Sequence, residues 1–291
     1  MFSYIIGLLA LVLLIVPNPL SQYFLDYRTR SIKSESPRPW LNESLLGIDP
    51  PNATLPDCPA DAYGVRILRR EPLVVYLEGF LSVEEREHLL EISEPLFEPS
   101  TVTHDASSTH RDTAVRRSTV ALLPRTDTVR CIEARALAFQ GWRRDVWIER
   151  LRTQRYVAGG YYKHHLDWSG NHNGWGRVSS FMAWVDASAD LEGGGTEFPL
   201  LEAWGGGRWC DLLDCERDRA GDEGEDEDDE VRKCVEDDEG GGITFRPVAG
   251  NAVYWENFAA DGRGYEETWH SGLPVKKGVK VGLNIWSFGR I

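Results

Sequence analysis

The chain has 291 residues, 42% of them hydrophobic, with eleven Trp and a net charge of −14 at pH 7. That length buries one sizeable core and leaves a tether over, and the composition excludes a fibrous or wholly disordered protein. The charge is local: residues 211–239 hold sixteen acidic and four basic side chains, −12 of the −14, and with no basic patch elsewhere nucleic acid is not an expected partner.

In chain order, Met1 to Val16 is uncharged and almost wholly apolar, and it meets Pro17 and Pro19. Sixteen helical residues span about 24 Å against a hydrocarbon core of roughly 30 Å. A short signal-anchor or a cleaved signal peptide fits residues 1–25, and the lack of a small-x-small cleavage site favours the anchor. Arg28, Arg30 and Lys33 follow this run while nothing basic precedes it, a pattern that would hold the rest in the cytosol. The sequons Asn42-Glu43-Ser44 and Asn52-Ala53-Thr54 point the other way, to a lumen. Residues 26–64, punctuated by Pro37, Pro39, Pro50 and Pro51, read as a stem without regular structure.

The folded part is expected over 65–291. Leu73 to Leu77 is a strand pattern. Ser82 with Glu85 three residues on forms a capping box for a helix to about Leu96, with Leu89, Leu90 and Ile92 on its apolar face. A second helix fits Asp127 to Gln140. From Glu149 onward the pattern is short strands: Arg152 to Val157, Tyr161 to Trp168, Ser179 to Val185, Ile243 to Phe245, Ala252 to Trp255, Thr268 to Ser271 and Val279 to Phe288. Many short strands behind leading helices predict an α+β, mainly β, sandwich or barrel. Within the acidic insert, 211–239, the run Gly221 to Glu230 is low-complexity and is expected to be disordered or a solvated loop. Of the five cysteines, Cys210, Cys215 and Cys234 bracket it, so a disulfide closing the insert is expected there rather than a zinc site.

His165 and Asp167, two apart on a predicted strand, face one side and can share an ion. A second imidazole from His270 completes the ligand set of a mononuclear iron site with open positions. His164, on the opposite face, and His172, in an Asn-Gly loop, are not expected to be ligands. On the last strand Val279, Val281, Leu283 and Ile285 alternate with Lys280, Gly282, Asn284, Trp286 and Phe288. Lys280 thereby shares a face with aromatic side chains, and an ammonium enclosed there needs an anion such as a ligand carboxylate.

The stretch Arg155-Tyr156-Val157-Ala158-Gly159-Gly160-Tyr161-Tyr162-Lys163-His164-His165-Leu166-Asp167 resembles the iron-site signature of prolyl 4-hydroxylases, members of the 2-oxoglutarate and Fe(II)-dependent dioxygenases. Gly193 to Pro199, Pro247 to Trp255, His270 to Lys280 and Asn284-Ile285-Trp286 follow in the family's order. Pro72 to Leu90 and Arg116-Arg117-Ser118 are similar to its opening strand, helix and loop, so the resemblance covers about Leu68 to the C-terminus. It implies a double-stranded β-helix (jelly roll) with flanking N-terminal helices, iron on His165, Asp167 and His270, and Lys280 on the distal carboxylate of 2-oxoglutarate. Tyr156 and Thr196 would help hold that co-substrate, and Tyr162 and Trp286 would line the pocket. Hydroxylation of a proline in a peptide or protein, coupled to decarboxylation of 2-oxoglutarate to succinate, is the implied activity, with ascorbate keeping the iron reduced. Lysyl hydroxylation, or a silent jelly-roll binding module, are the alternatives. The resemblance also favours a catalytic domain in the lumen of the endoplasmic reticulum, tethered to its membrane. The acidic insert, and the lack of the peptide-binding and oligomerisation domains of collagen-modifying enzymes, put collagen in doubt as substrate.

Overall fold

A computed structural model describes residues 39–40, 42, 44–54, 56–104, 108–141, 143–168, 174–202, 209, 211–214 and 242–291. The expected anchor, the stem up to residue 38, most of the acidic insert, His172, Cys210, Cys215 and Cys234 lie outside the described residues. The chain divides into Met1–Trp40 and Leu41–Ile291, and every described strand and helix belongs to the second unit.

Strands β1 (Gly64–Arg70) and β2 (Leu73–Glu78) form a hairpin, and α1 (Val83–Ser93) follows. Ser82 and Glu85 make the predicted capping box: the Glu85 N–H donates to the Ser82 hydroxyl at 3.2 Å and the Ser82 N–H donates to the Glu85 carboxylate at 2.9 Å. The helix stops at Ser93 rather than Leu96, because Pro95 has no N–H to continue the helical ladder and a 3₁₀ turn takes over from Glu94. Short strands β3 (Glu98–Pro99), β4 (Val102–His104), β5 (Ser108–His110), β6 (Arg116–Arg117) and β7 (Thr119–Leu122) lead to α2 (Asp127–Phe139). Thr126 caps α2 by accepting from the Val129 N–H.

The body of the fold comes next: β8 (Val146–Ile148), β9 (Arg152–Val157), β10 (Tyr161–His165), β11 (Trp175–Ala187), β12 (Glu192–Gly193) and β13 (Thr196–Phe198). After the insert come β14 (Ile243–Phe245), β15 (Ala252–Glu256), β16 (His270–Gly272), β17 (Val275–Lys277) and β18 (Val279–Arg290). The large sheet runs β1-β2-β15-β11-β18-β9-β7-β3, with β8 also paired to β18, and the small one runs β14-β13-β16-β10-β6. All the named pairs are antiparallel. This is the predicted jelly roll, with helices on the outer face of the large sheet.

Alternation along the central strands divides the core in two. Val75, Leu77, Phe181, Ala183, Tyr254, Leu283 and Ile285 face the helices, packing with Leu89, Val129, Ile132 and Ala136. Val74, Tyr76, Met182, Trp184, Val253 and Trp255 face the small sheet and meet Phe198 and Phe245. β18 lies between β11 and β9 in a sheet whose faces are covered by the helices on one side and the small sheet on the other, and Lys280 on it is 1% exposed.

The helices are tied to each other by charge. Arg135 of α2 donates to both carboxylate oxygens of Glu85 of α1 at 2.9 and 2.7 Å and to the Phe80 carbonyl at 2.7 Å, and both side chains are buried. The second half of the expected stem joins the domain. Leu46 is buried and bridges to Glu149, Asp49 pairs with Arg125 and Arg130, and Tyr63 packs on Phe80 and Phe139. A disulfide joins Cys58 of this segment to Cys131 of α2 across 73 residues. Among the described residues of 47–63 there is a turn but no strand or helix, and these side-chain anchors hold the segment. No helix among the described residues is long and apolar enough to cross a membrane.

Candidate active site

β10 and β16 are neighbours in the small sheet, with His165 directly opposite His270. Their rings lie 4.3 Å apart. Asp167 was expected on the strand with His165; instead β10 ends at His165 and Asp167 sits in the turn after it. Its carboxylate is drawn across to the large sheet, where one oxygen, Oδ2, accepts from the Ser180 hydroxyl at 2.7 Å and the Trp286 indole N–H at 3.0 Å. The other oxygen, Oδ1, stands 3.7 Å from the Nε2 of His165, and Oδ2 stands 3.9 Å from the Nε2 of His270. The donor atoms of the three residues lie within 4.8 Å of one another, close enough for one ion to share.

Both imidazoles are turned by their rear nitrogens. The Nδ1 of His165 lies 2.9 Å from the Lys163 carbonyl, and that of His270 lies 2.8 Å from the Thr268 carbonyl. A carbonyl only accepts, so each Nδ1 carries the proton and each Nε2 presents a lone pair. Burial, reinforced by the neighbouring His270, pushes the His165 imidazole down toward its neutral form. Burial by itself would raise the Asp167 carboxyl, but His270, His165, Arg177 and the Ser180 hydroxyl outweigh it and hold it below the usual carboxylate range. Two imidazoles and a carboxylate on one side of a cavity are a facial donor set for a divalent metal with open positions, such as Fe(II).

The cavity beside them, about 420 Å³, is lined by Tyr156, Tyr162, Thr196, Lys280 and Asn284 together with the three donors. At its far end Lys280 donates to the Gly194 carbonyl and lies 5.0 Å from the Tyr156 ring centroid. No carboxylate pairs with it among the described residues, and burial lowers its ammonium to about 8. Thr196 beside it has a buried hydroxyl with no hydrogen-bond partner among the described residues. An unpaired ammonium and an orphaned hydroxyl in one cavity fit a carboxylate ligand. Gly194 has φ +73°, so a side chain there would strain the turn that carries the carbonyl. A second cavity, about 310 Å³ and lined by Leu68, Val74, Leu213 and Ile243, holds no metal-ligand cluster among the described residues.

Tyr162 sits otherwise than an ideal strand implies. Between Tyr162 and His165 the register against β16 shifts, so Tyr162 lands on the site side and stacks on His165 at 3.8 Å. Sequence alternation alone turns it away, since a bulge leaves no mark in the spacing. Trp286 was expected to line the pocket. It instead backs the site by donating to Asp167, because its N–H must find an acceptor when buried. His164 bonds to Glu197 at 2.6 Å away from the donors, as expected of a non-ligand. Ser180, Met182 and Trp255 were not expected at the site, and Asn284 was expected only on the face of Lys280. The register β11–β18, pairing Ser180 with Trp286 and Met182 with Asn284, is what brings them in.

Residues 151–288 match the family model described as the 2OG-Fe(II) oxygenase superfamily. Among known proteins, the chain is 26% identical over 239 residues to prolyl 4-hydroxylase 5 of Arabidopsis thaliana, covering 76% of this chain and 70% of that protein. It is 26% identical over 223 residues to prolyl 4-hydroxylase 1 of the same plant, covering 74% and 68%. Among solved structures, the 2OG complex of a viral collagen prolyl hydroxylase from Paramecium Bursaria Chlorella virus-1 aligns at TM-score 0.49 and 19% identity, covering 74% of this chain and 96% of that one.

Proposed function

We propose that this chain, whose residues 151–288 match the 2OG-Fe(II) oxygenase superfamily model, hydroxylates prolyl residues of a peptide or protein substrate and converts 2-oxoglutarate to succinate as it does so. The observation that carries this reading is the pairing of a His165–Asp167–His270 donor set with a buried, unpaired Lys280 in one cavity. A bare metal site has no use for that lysine. A dicarboxylate does.

Each residue then has a task. His165 and His270 offer Nε2 to the metal because their Nδ1 protons are engaged by Lys163 and Thr268. Asp167 offers Oδ1, its other oxygen being held by Ser180 and Trp286. Lys280 and Thr196 receive the remote carboxylate of 2-oxoglutarate, with Tyr156 covering the ammonium. Met182, Trp255 and Phe198 make the wall behind His270 apolar, which keeps water out of the site. Bound iron supplies the oxygen chemistry itself, and ascorbate would serve as its reductant.

The test is turnover of 2-oxoglutarate to succinate with proline-containing peptides, wild type against His270→Ala. Wild type should form succinate and hydroxyproline together, and the variant neither. A silent binding module would show no turnover in either protein, and hydroxylysine in place of hydroxyproline would favour the lysyl reading.

The proposed location is the lumen of the endoplasmic reticulum, behind an N-terminal membrane tether. The Cys58–Cys131 disulfide belongs to an oxidising compartment, and Asn52 of the second sequon is exposed on a turn. Glycosidase treatment of the protein expressed in cells should shift its mass, and Asn52→Gln should shrink that shift. An unglycosylated protein sensitive to protease outside microsomes would place the domain in the cytosol.

A further inference from the structure

Beyond the cavity, on the side away from Lys280, the metal donors are flanked by arginines. On the inner face of β18 the order is Lys280, Gly282, Asn284, Trp286, Phe288. In the neighbouring strands Arg152 stands opposite Asn284 and Arg177 opposite Phe288. The Arg177 guanidinium lies 3.8 Å from the centre of the Trp286 ring, the ring that bonds to Asp167. From β6, the Arg116 guanidinium lies 4.6 Å from the centre of the Tyr162 ring, the ring stacked on His165. Arg177 and Arg116 are thus each one aromatic ring away from a metal donor.

Not all of these charges are balanced. Arg177 is matched by a two-point bond to Glu149 at 2.6 and 3.0 Å. Arg116 gives one N–H to Ser118 at 3.0 Å, while its Nη2 is buried with no acceptor among the described residues. Arg152 is half-buried, and among the described residues neither it nor Arg116 has a carboxylate within ion-pair distance. Burial pushes the Arg152 guanidinium down, and the crowding of Arg177, Arg116 and Arg150 adds to this against Glu149 by itself. Unpaired guanidinium groups partly withdrawn from water are costly unless a ligand completes them. A carboxylate matches the planar fork of arginine best. In a peptide that carboxylate is an aspartate or glutamate side chain.

We propose that Arg116 and Arg152 form a carboxylate subsite beside the metal, and that this enzyme prefers prolines with an acidic residue close by in the substrate chain. The inference rests on the prolyl-hydroxylase reading and narrows its substrate class. It does not follow from the overall charge of the chain, which is acidic and would repel such a peptide.

Matched proline peptides test it, carrying Asp or Asn, and Glu or Gln, at each position within three residues of the proline. The full chain is assayed with Fe(II) and 2-oxoglutarate, reading kcat/KM for hydroxyproline. Wild type should favour the acidic member of at least one pair by about tenfold. In Arg116→Gln or Arg152→Gln the ratio within that pair should fall toward one. Because both peptides are read on the same protein, a loss of folding in a variant cancels from the ratio, and Arg152→Lys should retain part of the preference. Raised salt should erode the preference in wild type. A ratio near one at every position in wild type, or a preference untouched in both glutamine variants, overturns the subsite and leaves prolyl hydroxylation standing. Succinate without hydroxyproline from any peptide overturns the prolyl reading, and the subsite with it.

Discussion

Lys280 is the residue on which burial and charge conflict most. It is enclosed on a central strand with a carbonyl and a ring for company, and burial brings its ammonium to about 8. The sign of the consequence follows from linkage. An exposed lysine titrates near 10.4, so above about pH 8 the folded protein loses this proton before the unfolded chain does. Binding a carboxylate needs the proton back, and the affinity for 2-oxoglutarate should therefore fall as pH rises through 8, approaching tenfold per pH unit. Calorimetric titrations at pH 7.0, 8.5 and 9.5 check this, and a flat affinity would remove Lys280 from the carboxylate. Trp286 makes a second case. Trp286→Phe keeps the ring under Arg177 but deletes the N–H to Asp167, and metal affinity should drop by about 10–100-fold, read by competition with a chelating dye. Lys280 was legible from strand alternation. The role of Trp286 was not, because alternation tells which face a ring is on and not which acceptor its N–H finds.

At the scale of elements, the capping box of α1 and most strand positions were written in local residue order. Ser82 and Glu85 are three apart, and the strands alternate as they must when one face meets helices and the other a second sheet. What local order does not contain is the second duty of Glu85. It caps its own helix and also holds Arg135 of α2 by two charged bonds. Arg135→Leu would leave a buried carboxylate without its partner, and should cost about 3–5 kcal/mol, seen as a lower denaturation midpoint with an unchanged slope. Exposed Arg66→Leu, which breaks a pair with Glu78 half open to water, should leave that midpoint almost unmoved. The end of β10 at His165 is of the same kind. The helix and strand periods show where an element begins, and a long-range bond from Ser180 and Trp286 shows where it ends.

On the whole molecule, the disulfide Cys58–Cys131 joins what the residues present as stem to the second helix. Closing a span of 73 residues restrains the unfolded chain by roughly 4 kcal/mol on the entropic account. Cys58→Ser with Cys131→Ser should lower the melting temperature, and reductant should do the same to wild type and nothing further to the variant. The expectation of a disulfide within the insert concerns residues outside those described. Pairing of cysteines depends on where distant segments meet, and a count of five says nothing of that.

The sequence by itself determined the chemistry of the donors, the strand-rich class, the helices in front and the face on which Lys280 stands. Each of these is carried by residues a few positions apart, where the periods of strand and helix translate spacing into direction. Only the tertiary structure decided that Tyr162 stacks on His165, that Ser180 and Trp286 hold Asp167, that Leu46, Asp49 and Tyr63 tie the expected stem to the domain, and that two arginines with no carboxylate partner among the described residues flank the metal donors. Those facts depend on a bulge and on the register between β11, β18 and β9. Register is set by the summed packing of both faces, and no single stretch of residues carries it.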